Sequence, residues 1–217
     1  MNTINQITLL LFCTVFLNLS YAQNGKDQAR NPIVVIDPGH GGTDAGATTR
    51  TGIKEKDIAL SIASKIVVLN NELFENPIML YLTRYTDTLI SLGDRTQLAK
   101  KLKADIFISI HCNQVLNKTA SGTEVFIQPK SEEQAEESAY LGFTIQKGLA
   151  DILGIKKRGL KYGNFQVLRD SSNSSATILL ELGFLSQTDE ANYLSKEESQ
   201  YAIALNILQS IIKYLRL

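Results

Sequence analysis

The sequence predicts one α/β domain, a central sheet of about six strands, mostly parallel or mixed, with helices on both faces. Three observations predict it. Compact β-branched runs alternate with longer segments of helical period. No internal repeat, proline-rich linker or low-complexity tract divides the chain. The composition of the 217 residues, 44% hydrophobic and 20% charged, suits a globular chain with one sizeable core.

Taken in order, residues 1–22 stand apart from the fold. Ile7 to Leu19 is an apolar stretch ending in Ser20-Tyr21-Ala22, a small-x-small pattern before Gln23, and it reads as a cleaved secretory signal. The stretch is short for a membrane span, and no second long apolar run follows, so the mature chain should have no span. No Lys or Arg precedes Lys26, which keeps an uncleaved anchor as the competing reading. Cys13 falls within the discarded segment, and Phe12 stands where a lipoprotein would need a small residue. Residues 23–31 form a polar lead-in, expected to be flexible, and residues 32–217 the folded domain.

Strands are expected at Ile33 to Ile36, Ile78 to Leu82, Ile106 to Ile110, Glu124 to Gln128, Phe165 to Leu168 and Ile178 to Leu182. Ile58, Ile62, Ile66, Leu69 and Leu73 recur at helical spacing, so a helix should begin near Glu55 and lay that stripe on the sheet. Further helices are expected over Leu92 to Lys103, over Glu132 to Leu153 with an end near Gly154, and along Tyr201, Leu205, Leu208, Ile212 and Leu215.

The formal net charge is zero, which leaves no electrostatic footprint for nucleic acid or an anionic membrane surface. Lys156, Lys157, Arg158 and Lys161, and opposite them in sign Glu132, Glu133, Glu136 and Glu137, are read as solvated faces. Without the first 22 residues only Cys112 remains, so no intramolecular disulfide can form and the core must carry stability.

The two histidines, His40 and His111, each follow a strand-like run, and open α/β sheets bind ligands beyond the carboxyl ends of their strands. They are either metal ligands or polar residues at strand ends. Glu55, opening a helix after the small-residue loop Gly41 to Gly46, is either a third ligand or an acid favoured by the helix dipole. Two histidines, one carboxylate and a position left to water form a recurring catalytic zinc set. Glu181 interrupts an apolar strand, so it needs either an ion pair with Arg84 or Arg95, or a function such as general base. Cys112 should face away from His111 and serve packing, whereas Asn113 should return to the site side.

Several separated motifs carry a resemblance. They are Ile36-Asp37-Pro38-Gly39-His40-Gly41-Gly42 with Asp44 and Gly46, Lys54-Glu55-Lys56-Asp57, Leu82-Thr83-Arg84 with Asp87, and Leu92 to Arg95. Ser109-Ile110-His111 with Asn113, Gly122-Thr123-Glu124-Val125-Phe126, and Leu180-Glu181-Leu182-Gly183-Phe184-Leu185-Ser186 complete the series. In this order they resemble the zinc-dependent N-acetylmuramoyl-L-alanine amidases of the amidase 3 type, over nearly the whole mature chain.

The resemblance implies that His40, Glu55 and His111 bind Zn2+ and that Glu181 is the catalytic carboxylate. It implies peptidoglycan as partner and substrate, and action outside the inner membrane, in the periplasm or beyond. Cys112 and Ser174-Ser175-Ala176 depart from the family pattern, which favours a small residue and a proline at these places. The short interval from His111 to Glu124 leaves no room for the long blocking helix some relatives carry. An activator protein is compatible with the sequence but not indicated by it. Two other functions fit the same residues: a peptidoglycan-binding homologue without catalysis, and a zinc peptidase acting on another extracellular amide.

Overall fold

β1 (Ile33–Pro38), β2 (Met79–Leu82), β3 (Ile106–Asn113), β4 (Thr123–Ile127), β5 (Lys157–Tyr162) and β6 (Ala176–Phe184) form one sheet in the computed structural model, ordered β2-β1-β3-β6-β4-β5. The structure describes residues 30–217 except 76, 129–130 and 172–175. The expected signal segment, nearly all of the lead-in and the Ser174-Ser175 departure therefore lie outside the described residues. All pairings are parallel except β4 with β6, so the sheet is mixed, as expected.

The helices are α1 (Glu55–Leu73), α2 (Leu92–Leu102), α3 (Glu132–Leu153), α4 (Gln166–Ser171), α5 (Thr188–Ser195) and α6 (Glu197–Leu215). Their ends follow local chemistry. Ser91 and Ser131 cap α2 and α3 by accepting from Asp94 N and Gln134 N. Gly154 closes α3 at φ 70°, a left-handed cap that glycine adopts without a Cβ penalty.

Strand alternation splits the sheet into two unequal faces. On one, Val34, Ile36, Ile106, Ile108, Ile110, Ile178, Leu180 and Leu182 pack with stripes from α1, α3 and α6 into the main core. α6 lies against both α1 and α3. Each isoleucine or leucine fully buried here contributes about 1.5–3 kcal/mol relative to exposure. On the other face Val35, Phe107 and Leu179 form a smaller cluster with Ala99 and Ala104 near α2 and Val167 and Leu168 of α4, with Leu98, Leu102 and Phe126 partly buried against it. Toward the carboxyl ends of the strands this second face carries polar residues instead.

Two expectations are corrected. Phe165 to Leu168 is not a strand: Gln166 begins the short helix α4, because a four-residue apolar run cannot by periodicity distinguish a strand from one helical turn. The missing strand is β5, within the charged run Lys157-Arg158-Gly159-Leu160-Lys161-Tyr162. It lies at the sheet edge, where charge on a strand is tolerated and blocks edge-to-edge pairing. Arg158 and Lys161 are consequently more than a solvated face, since both pair with buried Glu124 of the neighbouring strand. The last helix starts at Glu197, a turn earlier than its apolar stripe, and α5 precedes it.

Candidate metal centre

β1 delivers the chain into the loop 39–54, which folds over the carboxyl ends of β1 and β3. Gly39 N donates to Ile110 O at 3.0 Å, fixing the start of the loop on β3. A Cβ on Gly39 would lie 2.3–2.7 Å from three ring atoms of His111, so only glycine lets that imidazole cross the strand. His40 follows with φ 58°, a left-handed conformation that a non-glycine residue adopts only under constraint.

Two buried arginines supply the constraint. Arg95 donates to Pro38 O at 2.9 Å, to His40 O at 2.7 Å and to Asp37 Oδ1 at 2.7 Å. Arg84 donates to Pro38 O, Gly39 O and Lys56 O at 3.0, 2.8 and 2.8 Å. Asp37, 1% exposed, also accepts from Thr83 Oγ1 and Ser109 Oγ. Neither arginine is therefore the ion-pair partner considered for Glu181.

His40, Glu55 and His111 come together, each offering one ligand atom, all within 4.8 Å of one another. Glu55 Oε1 lies 3.1 Å from His40 Nε2 and 2.8 Å from His111 Nδ1. Such separations are close to the spacing of about 3.3 Å between ligands of a tetrahedral zinc site with bonds of about 2.0 Å. Glu55 is 4% exposed and is itself aimed by backbone donors, accepting from Ala47 N at 2.8 Å and Cys112 N at 3.0 Å. His40 Nδ1 sits 2.8 Å from Asp44 Oδ2, an outer carboxylate that orients the ring and leaves Nε2 facing the centre. Donor chemistry and second contacts both fit a divalent cation.

The electrostatics agree. Burial opposes ionisation of Glu55, but hydrogen bonds to His111, His40 and the Ala47 amide outweigh it and hold the carboxyl far below its ordinary range. Burial likewise disfavours charged His40, yet Glu55 and Asp44 push its pKa up to about 9. The cluster is built to hold positive charge.

Glu181 pairs in register with His111 on one side and Glu124 on the other, so the three occupy one row across β3, β6 and β4. Its Oε2 is buried without a hydrogen-bond partner. Burial, with the charges of Glu55 and Glu124 adding to it, pushes its pKa up to about 7 against the pull of His111. Glu124 accepts from Arg158 Nε and Lys161 Nζ, both at 2.6 Å, and from Asn113 Nδ2 at 3.1 Å. Asn113 thus lies on the site side, as expected. Cys112 is 2% exposed in the main core, and burial and nearby carboxylates push its thiol up, away from nucleophilic use.

All four expected residues line one groove of about 1010 Å³, walled by Leu89 to Leu92 on one side and Phe165 to Val167 on the other. Sequence reasoning considered Arg84 and Arg95 only as partners for Glu181 and gave no separate role to Asp44 or Glu124. Their signal was charge inside or beside apolar runs; the loop carbonyls held by Arg84 and Arg95 and the cationic partners of Glu124 are distant in sequence, whereas Asp44 meets His40 only four residues away.

The family model described as N-acetylmuramoyl-L-alanine amidase (Amidase_3) matches residues 34–213. A Bacillus subtilis (strain 168) protein, YqiI, is 34% identical over 94% of this chain and 95% of its own. LytC of the same strain, an N-acetylmuramoyl-L-alanine amidase, is 33% identical over 88% of this chain, which spans only 38% of LytC. The crystal structure of N-acetylmuramoyl-L-alanine amidase from Clostridium difficile 630 superposes with a TM-score of 0.78 at 36% identity, covering 86% of this chain and 97% of that one. With the match extending over most of its length, the chain belongs to the Amidase_3 family of N-acetylmuramoyl-L-alanine amidases.

Proposed function

We propose that this chain is a zinc-dependent hydrolase that cleaves the amide joining N-acetylmuramic acid to the L-alanine of the peptidoglycan stem. The observation that carries the reading is the convergence of His40, Glu55 and His111 beside Glu181, whose Oε2 is buried without a hydrogen-bond partner. Family membership and the substrate in the names of LytC and the Clostridium difficile enzyme support the choice of bond.

His40 Nε2, Glu55 Oε1 and His111 Nδ1 would hold the metal. Zinc, when bound, supplies Lewis acidity toward the amide carbonyl and toward the attacking water. Glu181, at the groove wall beside His111, takes the proton of that water during attack. The same carboxyl then gives the proton to the departing alanine nitrogen, since an amine anion is too basic to leave unprotonated. Asn113, held by Glu124, presents an amide group at the groove where charge develops on the carbonyl oxygen. Asp44 keeps the His40 ring in register throughout.

Substrate access requires the chain to reach the wall, so we assign residues 1–22 to a secretory signal and the mature protein to the periplasm or exterior. No helix among the described residues is long and apolar enough to cross a membrane. The test is incubation of the purified chain with peptidoglycan, with chelator and with zinc restored, and mass spectrometry of soluble products. Chelator-sensitive release of stem peptides with a free N-terminal alanine is the expected result. Zinc bound at stoichiometry without any amide cleavage would leave the non-catalytic binding function instead.

A further inference from the structure

A second depression, of about 340 Å³, adjoins the metal groove and shares Gln114 with it. Gln114 directly follows Asn113 at the end of β3, so one residue borders both cavities. Arg50 and Lys118 both line the second cavity. Both are exposed, and neither has a hydrogen-bond or ion-pair partner among the described residues. Elsewhere in the molecule the cations near the site are consumed: Arg84 and Arg95 by loop carbonyls, Lys56 by Asp87, and Arg158 and Lys161 by Glu124.

Both unpartnered cations are presented from stiffened turns. Arg50 occupies the tip of a hairpin closed by the Thr48–Lys54 bridge, where Thr49 Oγ1 accepts from Ile53 N at 3.0 Å and Gly52 takes φ 88°. Lys118 sits in a turn that Asn117 ties together by accepting from Thr119 N and Thr119 Oγ1 at 2.9 and 2.8 Å. The same hairpin begins just after Ala47, whose amide aims Glu55. The cationic cavity is therefore mechanically continuous with the metal ligands.

We propose that Arg50 and Lys118 form a subsite for the carboxylates of the stem peptide, fixing which way the substrate lies across the metal centre; this rests on the amidase reading. Substrate chemistry decides the direction. The muramic carboxyl is consumed in the scissile amide, so the glycan side brings no charge to two cations. The stem side carries the carboxylates of its acidic residues and of its unlinked terminus. An extended peptide advances about 3.3 Å per residue, so carboxylates one to three residues beyond alanine lie about 3–10 Å further along the stem. The glycan is left to the larger groove, against Leu89, Ile90 and Phe165.

The test compares wild type, Arg50→Ala, Lys118→Ala and Arg50→Lys on a soluble muropeptide with free stem carboxylates and on the same muropeptide with those carboxylates amidated. Wild type should favour the free acid. Each alanine variant should raise KM for the free acid by about 1.4- to fivefold, the range of a single solvent-exposed charge contact, and leave KM for the amidated substrate where it was. Arg50→Lys should recover most of the loss.

Equal effects on both substrates, or no effect on either, overturn the subsite. Calorimetric titration with the sugar-free stem peptide, in free and amidated forms, separates the two levels of inference. If wild type cuts neither muropeptide but binds the free-acid peptide in an Arg50-dependent manner, the amidase reading falls and the subsite stands. If it cuts both muropeptides equally and binds the two peptides equally, only the subsite falls.

Discussion

The two faces of the sheet use the same strands for opposite purposes. The face under α1, α3 and α6 is apolar from end to end, with Ile36, Ile108, Ile178, Ile145 and Ile207 fully buried. The face under α2 and α4 is apolar only as far as Val35, Phe107 and Leu179, and beyond them carries Asp37, Ser109, His111, Glu181 and Glu124. α2 and α4 cover only the first part of that face, and the groove opens where they stop. One face holds the fold together; the other is left uncovered where a substrate must enter. Substitutions that uncouple stability from chemistry therefore test this division.

The largest separation is expected from Glu181→Gln. Turnover should fall by about two to four orders of magnitude, the usual contribution of a positioned acid or base. Zinc content by elemental analysis should stay at wild-type stoichiometry, and the melting temperature should not fall, since no partner of Glu181 is lost. Near-normal turnover in this variant would sink its assignment as the proton carrier.

Ile207→Ala is the mirror experiment on the other face. It opens a cavity in the main core and should cost about 2–5 kcal/mol in urea denaturation, while kcat of the folded fraction is retained. A comparable loss of kcat would mean that the faces are not independent.

Asp44→Asn probes the boundary between them. Losing the charged partner of His40 Nδ1 should weaken metal affinity by about ten- to a hundredfold in competition with a chromogenic chelator, with little change in folding.

Glu124→Gln gives the smallest effect, and it appears in the pH profile. The hydrogen bonds and charges of Lys161 and Arg158 overcome burial and lower the Glu124 pKa below its unfolded value. Its contribution to stability is thus complete above the ordinary glutamate pKa of about 4.3 and lost as pH falls through the lower folded value. Wild type and Glu124→Gln should differ most in urea midpoint at neutral pH and converge in acid. A constant gap would show that packing, not charge, is responsible.

The contrast between the faces also decides what could be read from the sequence. Stripes such as Ile58, Ile62 and Ile66 repeat at a fixed interval, so α1, the main core and the mixed sheet were legible. His40, Glu55, His111 and Glu181 could be singled out as candidates from strand ends, a helix start and an interrupted apolar strand, but each position left a structural alternative open, and only the fold brings the first three within 4.8 Å of one another. β5 and α4 were not. An edge strand needs no apolar pattern on its free side, and a one-turn helix has too few residues to express a period. Nor could the pairing of Glu124 with Arg158 and Lys161 be read, since it joins segments 34 and 37 residues apart through the adjacency of β4 and β5.

The arginines behind His40 have a consequence for the speed of recognition. Between them Arg84 and Arg95 hold the carbonyls of Pro38, Gly39, His40, Lys56, Thr86 and Ile90. Each guanidinium is a planar fork with several N–H donors in fixed directions, so one side chain holds carbonyls from separate stretches of chain at once. Freezing a backbone residue costs about 1–2 kcal/mol in entropy, and for a loop of irregular shape that cost would otherwise recur with every arriving ligand. Here it is met once, during folding, and the loop greets each new strand of substrate already in its working shape.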